Sequence, residues 1–422
     1  MENKHMIETI WTSCDLGNDG SKINFDFKKK NVVVPSVVGE ADANLEKATF
    51  DTKEAMDEYM KNFLNEAIFS VASSSVNSSN RYYLGQAAID NNRLGRRFDI
   101  NNFSGKSQDD LSLLLMLGSI AAYGVQKAYQ ENKPLKDLHF NVNLTTALPI
   151  REGKTLGVID HYENKYLKTD HVVNFYNFKD VISVTLHFNY VKVTLEGQAS
   201  QIAITNSIDW MPSLANGIKD DLVKYNPNLK SITPKQITMA RNVLLIDIGG
   251  KTVDFAVIQN GRANVNTSVS SMKGYDNVLL KAIDSLQAKQ RNFSSIGQLE
   301  SYLEQGASPF DPSSYDQVKS VVKADSQDLA QDITDQMSKA LGQGGLNPEL
   351  VFVTGGGSIP MREDTDLRQM LTDKLNSFNN NHTVPVVFVP EKFARYTNLL
   401  GLILMLQAAK SRLDGDVHGQ NK

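Results

Sequence analysis

Two short stretches of this chain share one plan, and that plan restricts the fold more than any other feature. Residues 13–25 read SCDLGNDGSKINF and residues 245–257 read LIDIGGKTVDFAV. Each is an apolar strand, an Asp-apolar-Gly step, a tight polar turn and a second strand. A plain hairpin needs no carboxylate at its tip. A Walker-type phosphate loop feeds a helix instead of a strand, and its pattern, G-x-x-x-x-G-K-[ST], occurs nowhere in the sequence. Taken singly, each stretch also reads as an ordinary β-turn, because D-x-G is a common turn pattern. Repetition of the unit at two distant places points to two similar domains.

The chemistry available at such turns is specific. Glycine lets a ligand approach the backbone closely, and successive N–H groups make a concave anion site. Lys22 and Lys251 add positive charge, and Asp15 and Asp247 suit a hydrated Mg²⁺, which prefers oxygen ligands and keeps several waters. A third element, VFVTGGGSIPM at 351–361, sets Gly355, Gly356 and Gly357 straight after an apolar strand. There a flat ring or ribose could lie against the backbone, or the glycines could serve a plain strand-to-helix loop. No G-x-G-x-x-G opens a helix at this point. The seven histidines are scattered, with no H-E-x-x-H pair, so no metal site beyond a nucleotide-bound Mg²⁺ is expected.

At 422 residues the chain exceeds one ordinary core, so two or more domains are expected. The net charge of -4 provides no overall basic field, which argues against direct nucleic-acid binding. Cys14 is the sole cysteine, so there is no internal disulfide and a reducing compartment is expected. The start, MENKHMIETIWTS, lacks the apolar core of a signal peptide. No apolar run reaches the about 18–20 residues that span a bilayer. The longest candidate, 111–125, contains Gly118 and Gly124 and reads as a buried helix.

Strands are expected at 8–14, 21–27 and 32–38, the last with Pro35 at an edge or bend. Helical spacing over 52–70 places Met56, Tyr59, Met60, Phe63, Leu64 and Ile68 on one face. A strand running into a short helix fits 81–90, a strong helix fits 109–130, and a strand stopping at Pro149 fits 138–150. Antiparallel strands are expected over 171–196, helix near 213–225, mostly helix from 275 to 340, a strand at 384–390 and a final helix at 398–413. The Ser/Asn-rich stretch 70–80 reads as a loop, and RLGRR at 93–97 as a basic surface.

The order CDLGNDGSK, VTLEGQAS, LLIDIGGKTVDF, VFVTGGGSIP and a C-terminal apolar helix resembles the actin/Hsp70/sugar-kinase superfamily. Within it, VVVPSVVG, YYLGQAA, TTALPI, VKVTLEGQAS and MKGYDNVLLKAI are similar to bacterial actin-like plasmid-segregation proteins of the ParM/StbA (Alp-type) family. The resemblance implies an α/β actin-like ATPase fold: two similar domains, each with a five-stranded mixed sheet flanked by helices, with nucleotide in the cleft between them. The first would hold residues 1–196 plus 396–422, with a variable subdomain at about 28–106. The second would hold 197–395, with a small helical subdomain at about 272–345.

The resemblance further implies ATP or GTP with Mg²⁺ as cofactors. Asp15 and Asp247 match the metal-associated aspartates, with contact to the ion through water, and Glu196 the residue that positions or activates the attacking water. Gly17, Asn18, Asp19, Gly20, Ser21 and Lys22 match the first phosphate hairpin; Gly249, Gly250, Lys251 and Thr252 match the second. Gly274 and Asp276 match nucleoside-side positions, and Gly355, Gly356, Gly357 and Ser358 the adenosine loop. Asp19 and Lys251 depart from the small or polar residues usual there. The implied function is a cytoplasmic bacterial nucleotidase that polymerises with itself and moves plasmid DNA through a DNA-binding adaptor, with no direct nucleic-acid or membrane contact. A non-polymerising small-molecule kinase and a nucleotide-binding assembly scaffold are the alternatives. A chaperone would need a substrate domain for which the sequence leaves no room.

Overall fold

The computed structural model of the protein describes residues 8–42, 44–77, 80–91, 95–98, 105–378 and 383–419. Met1–Leu148, Thr155–Leu195 and Leu399–Lys422 form one unit; Pro149–Lys154 and Glu196–Asn398 form the other. The chain opens with β1 (Glu8–Leu16), β2 (Gly20–Phe25), β3 (Val32–Pro35), β4 (Val37–Glu40), α1 (Lys53–Glu66), β5 (Ile68–Ala72), β6 (Tyr82–Leu84), α2 (Gln86–Asp90) and β7 (Arg96–Arg97). There follow α3 (Asp110–Gln130), β8 (Leu138–Leu148), α4 (Ile150–Gly153), α5 (Val158–Leu167), β9 (His171–Phe175) and β10 (Ile182–Leu195). Next come α6 (Glu196–Thr205), α7 (Ser207–Trp210), α8 (Pro212–Tyr225), α9 (Pro234–Thr238), β11 (Val243–Ile248), β12 (Val253–Gln259), β13 (Arg262–Ala263) and β14 (Val269–Ser271). The last elements are α10 (Tyr275–Gln287), α11 (Ile296–Gln305), α12 (Pro312–Gly344), β15 (Leu350–Thr354), α13 (Ser358–Asp364), α14 (Leu367–Phe378), β16 (Val386–Phe388), α15 (Glu391–Ala394) and α16 (Thr397–Gly419).

Among the described residues, the first unit carries a ten-stranded mixed sheet in the order β3-β2-β1-β8-β10-β9-β5-β6-β4-β7. Its central run begins with the β1–β2 hairpin, and β1, β8 and β10 lie parallel. Parallel strands covered by helices are apolar on both faces, which explains why all of Asn143–Leu148 is buried. Helix α3 fills that core: every residue from Leu111 to Val125 is buried. Its two mid-helix glycines make room for aromatic rings. A Cβ on Gly124 would lie 2.7 Å from the Phe140 ring, and one on Gly118 3.0 Å from that of Phe69. Helix α3 is long and apolar enough to cross a membrane, yet it is spent on packing inside this unit.

The second unit holds β13-β12-β11-β15-β16, with β14 also paired to β12. Helix α12, capped by Asp311 on the Ser314 amide, buries Val318, Val322, Leu329, Ile333, Met337 and Ala340 against this core. Those positions are separated by three, four or seven residues and so face one side of the helix.

Several expectations need correction. Ile68, placed on the helical face of 52–70, starts β5 instead. Asn177 ends α1 there: its Nδ2 donates to the Glu66 carbonyl at 2.6 Å and its Oδ1 accepts from the Ile68 amide at 2.9 Å. The stretch 32–38 is two strands, because β3 pairs with β2 while β4 pairs with β6 and β7. The second strand ends at Phe25, since Asp26 and Phe27 take left-handed φ values of 50° and 56°. Five strands per sheet counts only the central runs: β9 carries the first sheet on into β5, β6, β4 and β7, and β14 adds to the second. The presumed loop 70–80 begins within β5; Ser78 and Ser79, like Arg93 and Leu94 of the basic stretch, lie outside the described residues.

Candidate functional site: two Asp-tipped hairpins and a glycine loop

In the first unit, Asp15 stands opposite Lys22 in the β1–β2 ladder. Lys22 Nζ lies 2.8 Å from Asp15 Oδ2, and the Asp15 side chain is only 7% exposed. The turn Gly17–Gly20 is braced by Ser36 on the neighbouring segment. Ser36 Oγ donates to the Gly17 carbonyl at 2.6 Å, its amide donates to the Asp19 carbonyl at 2.9 Å, and its hydroxyl also meets that of buried Ser21 at 2.9 Å. Asn18 is half-buried and Asp19 is exposed. Lys106, a buried lysine absent from the sequence-based set, donates to the Leu16 carbonyl at 2.6 Å. Burial, reinforced by Asp15, pushes the Cys14 thiol well above its ordinary range, so this cysteine is an inert core residue.

In the second unit, Asp247 stands opposite Asp254 in the β11–β12 ladder. Gly249 N donates to the Thr252 carbonyl at 2.9 Å and closes the turn. Helix α10 docks its N-terminus onto this turn: Tyr275 N donates to the Gly249 carbonyl at 3.0 Å and Asp276 N to that of Gly250 at 2.6 Å. Gly274 permits the approach, because a Cβ there would fall 2.3 Å from the Gly250 oxygen. Asp276 is buried and Lys251 half-buried. Asp254 is buried and accepts from Ser270 Oγ, and from Thr252 Oγ1 at 3.3 Å. Asp247 instead accepts from Asn398 Nδ2 at 2.8 Å.

The glycine loop packs directly on this second hairpin. Thr354, the last residue of β15, is in register with Asp247. Gly355 follows with φ +91°, and a Cβ on it would sit 2.3 Å from both Asp247 Oδ1 and the Ile248 oxygen. Gly357 N donates to that same Ile248 carbonyl at 2.8 Å, and buried Ser358 Oγ closes back on the Gly355 carbonyl at 2.7 Å. Gly356 lies beside Arg395, a second residue the sequence did not single out. Glu196 is the first residue of α6, half-buried, where negative charge suits the helix dipole. The next residue, Gly197, lets α6 press on β12, as a Cβ would lie 2.4 Å from Ala256 Cβ.

The expected residues therefore fall into two sets. Asp15 and Gly17–Lys22 belong to the first unit; Glu196 and the others belong to the second, where Asp247, Gly249–Thr252, Gly274, Asp276 and Gly355–Ser358 come together. Carboxylate oxygens beside glycine-lined backbone suit a Mg²⁺ that keeps waters and phosphates as further ligands. Among the described residues no group of three or more His, Cys, Asp or Glu side chains gathers as an all-protein metal cage.

A family model described as "Archaeal actin homologue MreB-like, C-terminal" matches residues 245–366, from within β11 to the residue before α14. No curated protein sequence matches the chain. Among solved structures, the actin-like protein Alp7A superposes with a TM-score of 0.67 at 15% identity, covering 98% of this chain and 100% of its own. ParM of Bacillus thuringiensis, solved with ATP, gives 0.58 at 15% identity over 96% of this chain and 99% of its own. Ta0583, an archaeal actin homologue, gives 0.57 at 13% identity over 95% and 100%. The similarity runs end to end and includes both hairpins, and the chain accordingly has the actin-like fold of Alp7A and ParM.

Proposed function

We propose that the chain is an actin-like nucleotidase that binds ATP or GTP with Mg²⁺, assembles into filaments with copies of itself, and hydrolyses the nucleotide. Its task would be the segregation of plasmid DNA through a DNA-binding adaptor. The observation that carries this is the end-to-end match to Alp7A together with the two Asp-tipped hairpins at matching places in the two units. ParM of Bacillus thuringiensis has been solved with ATP, AMPPNP and ADP, which supports a nucleotide as the ligand.

Phosphoryl transfer to water depends mostly on positioning and charge stabilisation. Backbone amides of Gly17–Ser21 and Gly249–Thr252 would receive the phosphate oxygens, with Lys22 and Lys251 adding charge. Asp15 and Asp247 would hold the hydrated Mg²⁺, which when bound neutralises β- and γ-phosphate charge. Glu196 would orient the attacking water and take its proton at the carboxylate. Gly355–Ser358 and the α10 start, Gly274–Asp276, would shape the nucleoside side. Association of identical subunits head to tail gives open filaments when the rotation does not close.

Sedimentation and light scattering with Mg-ATP and with Mg-GTP, alongside phosphate release, test this directly. Nucleotide-dependent polymer with accompanying phosphate release is expected. Binding and turnover without sedimentable polymer would favour the kinase alternative, and binding with neither would favour the scaffold.

A further inference from the structure

The matching aspartates of the two hairpins are held by different chemistry. Asp15 faces a cation, Lys22. Asp247 faces a neutral amide: Asn398 Nδ2 donates to Asp247 Oδ2 at 2.8 Å, and Asn398 Oδ1 accepts from Ser200 Oγ at 2.7 Å. The polarity of this relay follows from the groups themselves. The amide nitrogen donates to the Asp247 carboxyl oxygen; the amide oxygen then faces Ser200, whose hydroxyl donates. Ser200 is wholly buried and Asn398 is 9% exposed, so water competes little with either bond.

Both ends of the relay are anchored. Ser200 sits one turn beyond Glu196 on α6, the helix pressed onto β12 at Gly197. Thr397, next to Asn398 at the start of α16, meets Thr354 hydroxyl to hydroxyl at 2.7 Å, and Thr354 is the β15 neighbour of Asp247. The start of α16 thus holds the Asp247 side chain directly and, beside it, the Thr354 side chain on the neighbouring strand.

We propose that Asn398 is a positioning residue that fixes the rotation of the Asp247 carboxylate toward the Mg²⁺ of a bound Mg-nucleotide and, through Ser200, ties it to the helix that begins with Glu196. This rests on the nucleotidase reading above. The printed geometry carries the role: the amide meets one carboxylate oxygen of Asp247, and its own oxygen is held by a buried hydroxyl.

Equilibrium binding of a fluorescent ATP analogue, in Mg²⁺ and in EDTA, tests the assignment without any reading of turnover. The ratio of the two affinities is the Mg²⁺ contribution. Asn398→Leu is expected to lower that ratio about 10-fold, the scale for groups that orient a metal ligand. Ser200→Ala, which removes one hydrogen bond, is expected to lower it about threefold. Affinity in EDTA should move less than about twofold in either, since the metal is then absent. An unchanged ratio in folded variants, checked by circular dichroism melts, overturns the positioning role. If Asn398→Leu does not fold, Ser200→Ala decides alone. A wild-type protein that binds nucleotide in neither buffer overturns the nucleotidase reading instead.

Discussion

Lys22 Nζ lies 2.8 Å from Asp15 Oδ2, straight across the β1–β2 ladder. The pair is mostly shielded from water, so removing one partner leaves a poorly solvated charge. Lys22→Met is expected to destabilise the protein by about 2–3 kcal/mol, somewhat below the range for fully buried pairs. Adding Asp15→Asn should recover part of that loss. Urea unfolding of the two single variants and the double variant reads the coupling, and strict additivity would show that the pair is energetically idle.

Glu196 carries the hydrolytic step of the proposed function. Glu196→Ala is expected to keep nucleotide binding and assembly while slowing phosphate release at least ~10-fold, the lower scale of general-base effects. Single-turnover phosphate release beside sedimentation separates the two. Unchanged turnover would remove Glu196 from that role.

Gly355 combines a left-handed φ of +91° with a site where a Cβ would collide with Asp247 Oδ1 and the Ile248 oxygen. Gly355→Ala strains the backbone and displaces the carboxylate in one change. A stability loss of about 1–3 kcal/mol is expected from the backbone alone, together with weakened nucleotide binding. Gly261, also left-handed but with open space around its Cβ position, provides the control: Gly261→Ala should destabilise without touching binding. Equal binding losses in both variants would refute a local effect at the loop.

Asp221 accepts from Arg368 Nη2 on both carboxylate oxygens, at 2.9 and 3.0 Å, lies 2.9 Å from Arg362 Nη2 and accepts from the Phe388 amide at 2.8 Å. Arg362 lies on α13, directly after the glycine loop. Asp221→Ala leaves two guanidinium groups facing each other in a nearly closed site, and a loss of about 3–5 kcal/mol is expected. Chemical denaturation measures it; a loss below about 1 kcal/mol would mean the cluster behaves as an exposed one.

His171 is fully buried, with Nδ1 2.7 Å from Ser73 Oγ and Nε2 3.0 Å from the Tyr166 carbonyl. Burial lowers its pKa from the ordinary 6.5, opposed by the Tyr166 carbonyl and Asp170. A histidine depressed in this way takes a proton more readily when unfolded. Its contribution is therefore complete above pH 6.5 and is lost as pH falls from there through the folded value. Unfolding midpoints between pH 7.5 and 5.5 should fall more steeply in the wild type than in His171→Gln. Parallel slopes would contradict this assignment.

What the sequence disclosed was local in origin. The hairpin tips and the glycine loop announce themselves through runs of apolar residues broken by Asp and Gly, and α3 through its capping Asp109 and unbroken apolar content. Misjudged features were set from afar. Ile68 left the helix because Asn177, distant in sequence, takes the last carbonyl of α1. Asn398 and Ser200 became visible only when strand register brought β11 and β15 beside the start of α16. Lys106 carried no sequence signal, since one lysine among polar residues looks like any surface lysine until its ammonium is found on the Leu16 carbonyl.

Helix α16 belongs to the first unit from Leu399 onward, although it is the last element of the chain. Its Leu402 carbonyl accepts from Thr145 Oγ1 at 2.9 Å, and Leu399, Leu402 and Leu406 are buried. The first unit therefore closes over a separation of 257 residues between Thr145 and Leu402, with the whole of the second unit strung between them in sequence; contacts of such long range give up loop entropy before they gain anything and slow folding.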